Sequence, residues 1–284
     1  MYRLAFLLAA LTLLLGCPTR RDDDASGPDG DLDGDLLSNS FEELIETDPY
    51  DADTDGDGWT DAEEHFTYFS PRVDTNFPYQ GRYPRGPLMA SDDWNEYTAE
   101  EGWAEGDISD SWTADDRWGE QIKLKRFFGQ VILIDVSSEW CGPCQGVAST
   151  LNEEYTDRKE EGFIAIQVML DGMTPGDGTP DLERWGDEFG LTNVLVGDGD
   201  RDISRHYTPA GSYGIPNYTV IGRDFTVVDW FQEGGTPNLT LIDQLLEEEP
   251  PEVEYPWPEN ADEIRDELEI EDLDSWIHPF DAPR

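Results

Sequence analysis

Cys141 and Cys144 stand two residues apart in "DVSSEWCGPCQ", residues 135–145, directly behind Trp140. Such a pair can ligate a metal, form a structural cross-link, or cycle between dithiol and disulfide. Zinc needs four nitrogen or sulfur ligands. The chain has only 3 cysteines and 3 histidines, and His65, His206 and His278 are far apart in sequence. A bridge across two residues closes a loop too small to constrain the unfolded chain much. Reversible redox chemistry is the use that fits.

The pair needs elements to hold it. "GQVILIDV" is an apolar, β-branched run of buried-strand length. "PCQGVASTLNEEYTDRKEEG" reads as a helix ending at Gly162, and "FIAIQVML" as a second buried strand. After the loop "DGMTPGDGTPD" comes a helix with Thr179 as its expected N-cap and Pro180 at its first position. "NVLVGD" is a short strand and "RDISRHY" a short helix. "YTVIG" and "FTVVDWF" form a hairpin around Arg223 and Asp224, and "NLTLIDQLLEE" closes as an amphipathic helix. This β-α-β-(α-β-α)-β-β-α order sets the cysteines at a strand-to-helix junction. A cysteine there faces unpaired backbone N–H groups and the positive end of the helix dipole. Thiol pKa values in such sites fall from about 8.5 to roughly 3.5–7.5. Cys141 is therefore the expected exposed nucleophile, and Cys144, one turn further in, resolves the mixed disulfide. Gly142 and Pro143 tune the geometry between them.

"DVSSEWCGPC" resembles the thioredoxin active site, and residues 106–249 resemble the membrane-anchored TlpA/ResA-type redoxins. The extra α-β unit "DLERWGDEFGLTNVLVGD" is similar to theirs. The resemblance implies an α/β, thioredoxin-like fold with a central mixed sheet flanked by helices. It implies thiol:disulfide oxidoreductase activity with no redox cofactor beyond the Cys141–Cys144 disulfide. The implied partners are protein thiols or disulfides and a further oxidoreductase that donates or accepts electrons. Asp135 matches the family's buried carboxylate, which takes and returns the proton of Cys144. Pro216 matches its cis-proline, and the backbone of Ile215 would pair with an incoming chain. Trp140 would cover the pair and shape the contact surface. Where thioredoxins have a lysine near the aspartate, this chain has apolar residues and Gln167. The proline and threonine that precede a peroxidatic cysteine in peroxiredoxins are missing from "VSSEWC".

The remaining chemistry is acidic. With 65 acidic and 18 basic residues the formal charge is −47, which excludes nucleic acid and anionic lipid surfaces as partners held by charge. From Asp22 to Glu64 there are 18 acidic residues and no basic one. "DLDGDLLSNSFE" from Asp31 and "DTDGDGWTDAEE" from Asp53 repeat at a spacing of 22 residues. In the second, Asp53, Asp55, Asp57, the carbonyl of Trp59, Asp61 and Glu64 occupy the ligand positions of a twelve-residue calcium loop, with Gly58 at the turn. The first offers Asp31, Asp33, Asp35, Asn39 and Glu42, but Leu36 replaces the glycine, so a weaker or distorted site is expected. The tandem pattern resembles thrombospondin type 3 calcium repeats. Residues 29–66 are thus an irregular, calcium-binding segment, loose without metal.

Residues 1–16 read as a signal peptide whose end, "LLLGC", resembles the bacterial lipobox, so Cys17 would carry the lipid and anchor the protein to a membrane. Residues 17–28 are a flexible linker and 67–105 an irregular connector. The tail, 250–284, is acidic, with a helix starting at Asn260 and Glu263. Its stripe of Ile264, Leu268, Leu273 and Ile277 is expected to pack on the redox domain, with docking on a partner as the alternative. The sequons at Asn217 and Asn238 carry no weight in a bacterial lipoprotein. The sum is a lipid-anchored oxidoreductase on the periplasmic or surface side of a bacterial cell envelope. The alternative is a calcium-binding cell-surface interaction protein with a redoxin scaffold.

Overall fold

The computed structural model describes residues 25–67, 69–73, 83, 101–251 and 256–268. The expected signal peptide, Cys17, most of the connector, and the tail from residue 269 on, with Leu273, Ile277 and His278, lie outside the described residues. Among the described residues no helix is long and apolar enough to cross a membrane.

At the N-terminal end, α1 (Asn39–Ile45) and α2 (Asp61–Phe66) each follow one acidic loop. Thr60 and Glu63 cap α2 reciprocally, side chain to backbone in both directions. Two small ladders come next. β1 (Glu101–Gly102) pairs in parallel with β2 (Ile108–Ser109), and β3 (Thr113–Asp115) pairs antiparallel with β4 (Gln121–Lys123). Residues expected in an irregular connector therefore already join the redox domain at Glu101, through backbone pairing.

The centre is a five-stranded sheet in the order β7-β6-β5-β8-β9. β5 (Val131–Ser137) and β6 (Phe163–Met169) are buried at every residue, because helices and loops cover both faces of a parallel pair. β7 (Val194–Gly197) extends the parallel part, while β8 (Asn217–Ile221) and β9 (Val227–Glu233) run antiparallel. Between β5 and β6 runs α3 (Gly142–Arg158), which passes through a 3₁₀ turn and stops where Gly162 adopts φ 101°. α4 (Leu182–Phe189) precedes β7, and α5 (Ser204–Tyr207) follows it. α6 (Leu239–Leu246) closes the domain, with Ile242 and Leu245 buried. The mixed sheet with flanking helices is the thioredoxin-like α/β architecture expected from the sequence.

Two expectations are corrected. The cap of α4 is Asp181 and not Thr179, since the Asp181 side chain accepts from the Arg184 N–H at 3.0 Å while the Thr179 N–H is itself held by Asp177. The tail helix α7 (Ala261–Glu267) starts where expected but docks elsewhere. Its Ala261 and Ile264 join Leu37, Phe41, Ala62 and Phe66 in a small core of the acidic module, separate from the redox domain's core.

Candidate functional site

β5 ends at Ser137, and four residues later Cys141 caps α3. Its Sγ accepts from the Cys144 N–H at 3.2 Å, and the backbone N–H of Gln145 bonds the Cys141 carbonyl at 3.0 Å. Gly142 opens the helix with Pro143 behind it, a position where proline costs no intrahelical hydrogen bond. Cys141 and Cys144 are joined as a disulfide with their Cα atoms 5.2 Å apart.

The sequence led to an exposed Cys141, whereas in this oxidised form it is only 2% exposed. It packs with Cys144, Ala148, Met169, Trp185, Leu191 and Leu195, and Ile215 lies against the cluster. The Ile215–Pro216 peptide bond is cis, and the Ile215 carbonyl oxygen lies 3.5 Å from Cys141 Sγ. In the disulfide that sulfur has no hydrogen, so the approach is a contact; the reduced thiol could donate there. The structure thus brings Cys141, Cys144, Ile215 and Pro216 together from segments 74 residues apart.

Asp135 is fully buried in β5, opposite Gln167 of β6 and Tyr218 of β8. Ser137 Oγ donates to one carboxylate oxygen at 2.8 Å and Gln167 Nε2 to the other at 2.9 Å. Gln167 in turn accepts from Trp185 Nε1 at 3.1 Å. Trp185 belongs to the cluster around the cysteines, so this relay borders the disulfide. Burial raises the Asp135 carboxyl to about 6, its two donors offsetting part of the rise. Ser137 and Trp185 were missed from sequence alone. Ser137 had a signal, standing two positions after Asp135 and so on the same strand face. Gln167 was legible as the lone polar residue of "FIAIQVM".

Trp140, 38% exposed, is held from behind. Its indole N–H donates to Asp171 Oδ2 at 3.2 Å, and its backbone N–H to the Gly172 carbonyl at 3.1 Å. Burial of Asp171 works against its ionisation, but Arg201 at 2.7 Å and the Gly178 N–H at 3.0 Å outweigh it and hold the carboxyl at about 2. Glu139, 2% exposed, accepts from the Asp181 N–H and pairs with Arg184. The loop after β6 and α4 are thereby fastened to the residues just before Cys141. No spacing pattern in the sequence pointed to Asp171, Arg201 or Glu139.

In the acidic module the two loops share their main turn bonds. Asp31 Oδ1 accepts from Gly34 N–H at 2.6 Å and its Oδ2 from Leu36 N–H at 3.2 Å; Asp53 does the same for Gly56 and Gly58, each at 2.9 Å. The first loop keeps the same turn, with Leu36 at φ 90° where Gly58 adopts φ 103°. The loop bonds and the buried Leu37 beside it hold this side chain in a region that glycine favours. Carboxylate oxygens of Asp31, Asp33 and Asp35 lie within 4.8 Å of one another, as do those of Asp53, Asp55 and Asp57. Glu42 and Glu64 are 0% exposed, and all four of their carboxylate oxygens lack a hydrogen-bond partner. Burial, then the neighbouring aspartates, push Glu42 up to about 8 and Glu64 up to about 10. Asn39 and Asp61 are placed differently from the expectation. Asn39 Oδ1 accepts from Leu32 N–H, and Asp61 accepts from both the N–H and the hydroxyl of Thr54, so each braces its own loop. The Trp59 backbone N–H donates to Asp57 Oδ1 at 2.9 Å while its ring stays 39% exposed.

Residues 106–230 match the model of the AhpC/TSA family. The thiol-disulfide oxidoreductase ResA of Geobacillus kaustophilus is 24% identical over 113 residues, 40% of this chain and 62% of that protein. ResA of Bacillus thuringiensis is 31% identical over 75 residues, 26% of this chain and 43% of that protein. The chain thus spans less than two thirds of the length of the curated relatives it matches. Among solved structures, a putative thiol:disulfide interchange protein DsbE from Chlorobium tepidum is 23% identical with a TM-score of 0.42, covering 51% of this chain and 96% of that one. The thioredoxin domain of a thiol-disulfide oxidoreductase from Bacteroides vulgatus is 20% identical, also with a TM-score of 0.42, covering 51% and 99%.

Proposed function

We propose that residues 106–249 catalyse thiol:disulfide exchange on protein substrates. The observation that carries this is the Cys141–Cys144 disulfide at the mouth of α3, faced by the Ile215 carbonyl and bordered by the buried Asp135. In the reducing direction the Cys141 thiolate attacks one sulfur of a target disulfide, forming a Cys141–target bond and releasing the other target sulfur as a thiolate. Cys144 gives up its proton and attacks Cys141 Sγ, which re-forms the internal disulfide and frees the second target thiol. The same steps reversed oxidise a dithiol target. Ile215 and Pro216 offer the backbone edge along which an extended target lies, and Trp140 forms the adjoining surface. Asp135, with a carboxyl near 6, is ionised at neutral pH and serves as the acceptor for the Cys144 proton. No redox cofactor enters this cycle. A second oxidoreductase must return the pair to its starting state.

Insulin reduction by the wild type and by Cys141→Ser tests the proposal. Loss of activity is expected; equal rates would leave the domain a scaffold. Hydrogen peroxide as sole oxidant gives a control, with turnover far below exchange expected.

The acidic module is proposed to bind calcium through Asp31, Asp33, Asp35 and Glu42 in one loop and Asp53, Asp55, Asp57 and Glu64 in the other. The carbonyl of Trp59 completes the second set, and Asn39 and Asp61 act as loop braces. Unpartnered buried carboxylates in two oxygen-only clusters suit a hard cation. Isothermal titration with calcium, against Glu64→Gln, checks it. The localisation proposed is the outer side of a bacterial membrane, with the lipid on Cys17. Mass spectrometry of the mature N-terminus reads that directly.

A further inference from the structure

Three features of the acidic module belong together. First, Glu42 and Glu64 sit buried without partners, each under the field of the aspartates in its own loop. A cation gives these four oxygens the partners that the closed loops do not, so cation binding and loop closure go together. Second, the loops are interleaved. Asp35 of the first loop accepts from the Ala62 N–H of α2 at 3.0 Å, over 27 residues, and Glu42 lies in the field of Asp61 from the second. Opening one loop releases the start of the other's helix.

Third, the tail is seated on the same elements. Leu37 lies inside the first loop, Phe41 directly precedes Glu42, and Phe66 comes two residues after Glu64; with Ala62 these pack against Ala261 and Ile264. The Trp257 ring stands 5.2 Å from that of Phe66 and 5.5 Å from that of His65. His65 Nε2 lies 2.9 Å from the Pro256 carbonyl oxygen, and the Arg265 guanidinium is 4.6 Å above the Trp257 ring. α1 and α2 have only 7 and 6 residues, too short to persist without packing. The surface that receives the tail therefore exists only while the loops are closed.

From this we infer that calcium binding and docking of residues 256–268 are one coupled event, so that calcium fastens the two ends of the chain to each other. The inference rests on the calcium reading of the module proposed above. Linkage makes the coupling reciprocal: whatever factor calcium adds to tail docking, tail docking adds to calcium affinity.

The experiment uses the full chain, with calcium alone as the probe and a chelator as the blank. Hydrogen–deuterium exchange is followed in peptides covering residues 256–268, and calcium affinity is titrated for the wild type, Ile264→Asp and Trp257→Ala. Thiol exchange is assayed in every variant to show that the redox domain has folded. Calcium is expected to slow exchange in the tail at least about ten-fold. Both variants are expected to weaken calcium binding by a factor between about 5 and 150, the usual span of such couplings. Unchanged affinity in both variants, with tail exchange the same in calcium and chelator, would overturn the coupling yet leave calcium binding standing. An absence of calcium binding in the wild type would remove both.

Discussion

At the scale of the residue, the chemistry turns on two sulfurs and one carboxylate. Cys141→Ser is expected to abolish exchange, whereas Cys144→Ser should accumulate a Cys141–target mixed disulfide, visible by mass spectrometry after non-reducing trapping. Asp135 offers a pH test. Its carboxyl is raised from 3.8 to about 6 by burial. As a base it works ionised, so the step needing Cys144 deprotonation should slow as pH falls below about 6, and Asp135→Asn should lose that limb. Stability follows the opposite sense. A raised carboxyl contributes stability that is fully present below about pH 4 and lost as pH climbs through 6. Each tenfold change in proton affinity is worth roughly 1.36 kcal/mol, so the whole effect is on the order of 3 kcal/mol. Urea unfolding of the wild type relative to Asp135→Asn should show a loss of that order between pH 4 and pH 7. A group that costs stability at neutral pH suits a functional site better than a structural one. In the first acidic loop, Leu36→Gly relieves a positive φ worth about 1 kcal/mol but gives up the packing of Leu36 on the module's core, so little or no rise in its melting temperature is expected.

At the scale of the element, the strand-to-helix junction does the positioning, and the loop after β6 braces it. Glu139 receives the Asp181 N–H and Arg184 from that side. Glu139→Ala should cost about 1.5–3 kcal/mol, the range for a hydrogen bond to a charged acceptor, because it removes the buried carboxylate that receives the Asp181 N–H; Arg184 is half exposed and loses little. Thermal denaturation checks the figure. What the sequence revealed follows from range. The five strands of the central sheet and α3 are local patterns of period and spacing, and they read correctly; β1–β4, only two or three residues each, are too short to show a period and were not read. Asp181 and Thr179 are both good caps two residues apart, and what separates them is contacts beyond the cap itself, Asp177 on the Thr179 N–H and Glu139 on the Asp181 N–H. The Asp171–Arg201 pair behind Trp140 joins loops after two different strands, which no local pattern encodes. The tail's apolar stripe was visible, but its receiver was not, because the receiving surface is assembled from two loops 22 residues apart in sequence.

At the scale of the whole molecule, charge and connectivity dominate. A formal charge of −47 steers basic partners towards the protein and repels acidic ones. Exchange with a basic protein disulfide should therefore slow as salt rises, while exchange with an acidic one should quicken, both measurable as second-order rates across ionic strength. Connectivity has its own consequence. Helix α7 returns to the acidic module, and from Glu249 to Pro256 there are only seven residue steps. At about 3.6 Å per step this leash reaches roughly 25 Å when taut. With the module lipid-tethered and the clasp shut, the catalyst would patrol a shallow zone beside the bilayer instead of roaming the surrounding space. Clients would then have to present their sulfurs close to the lipid surface.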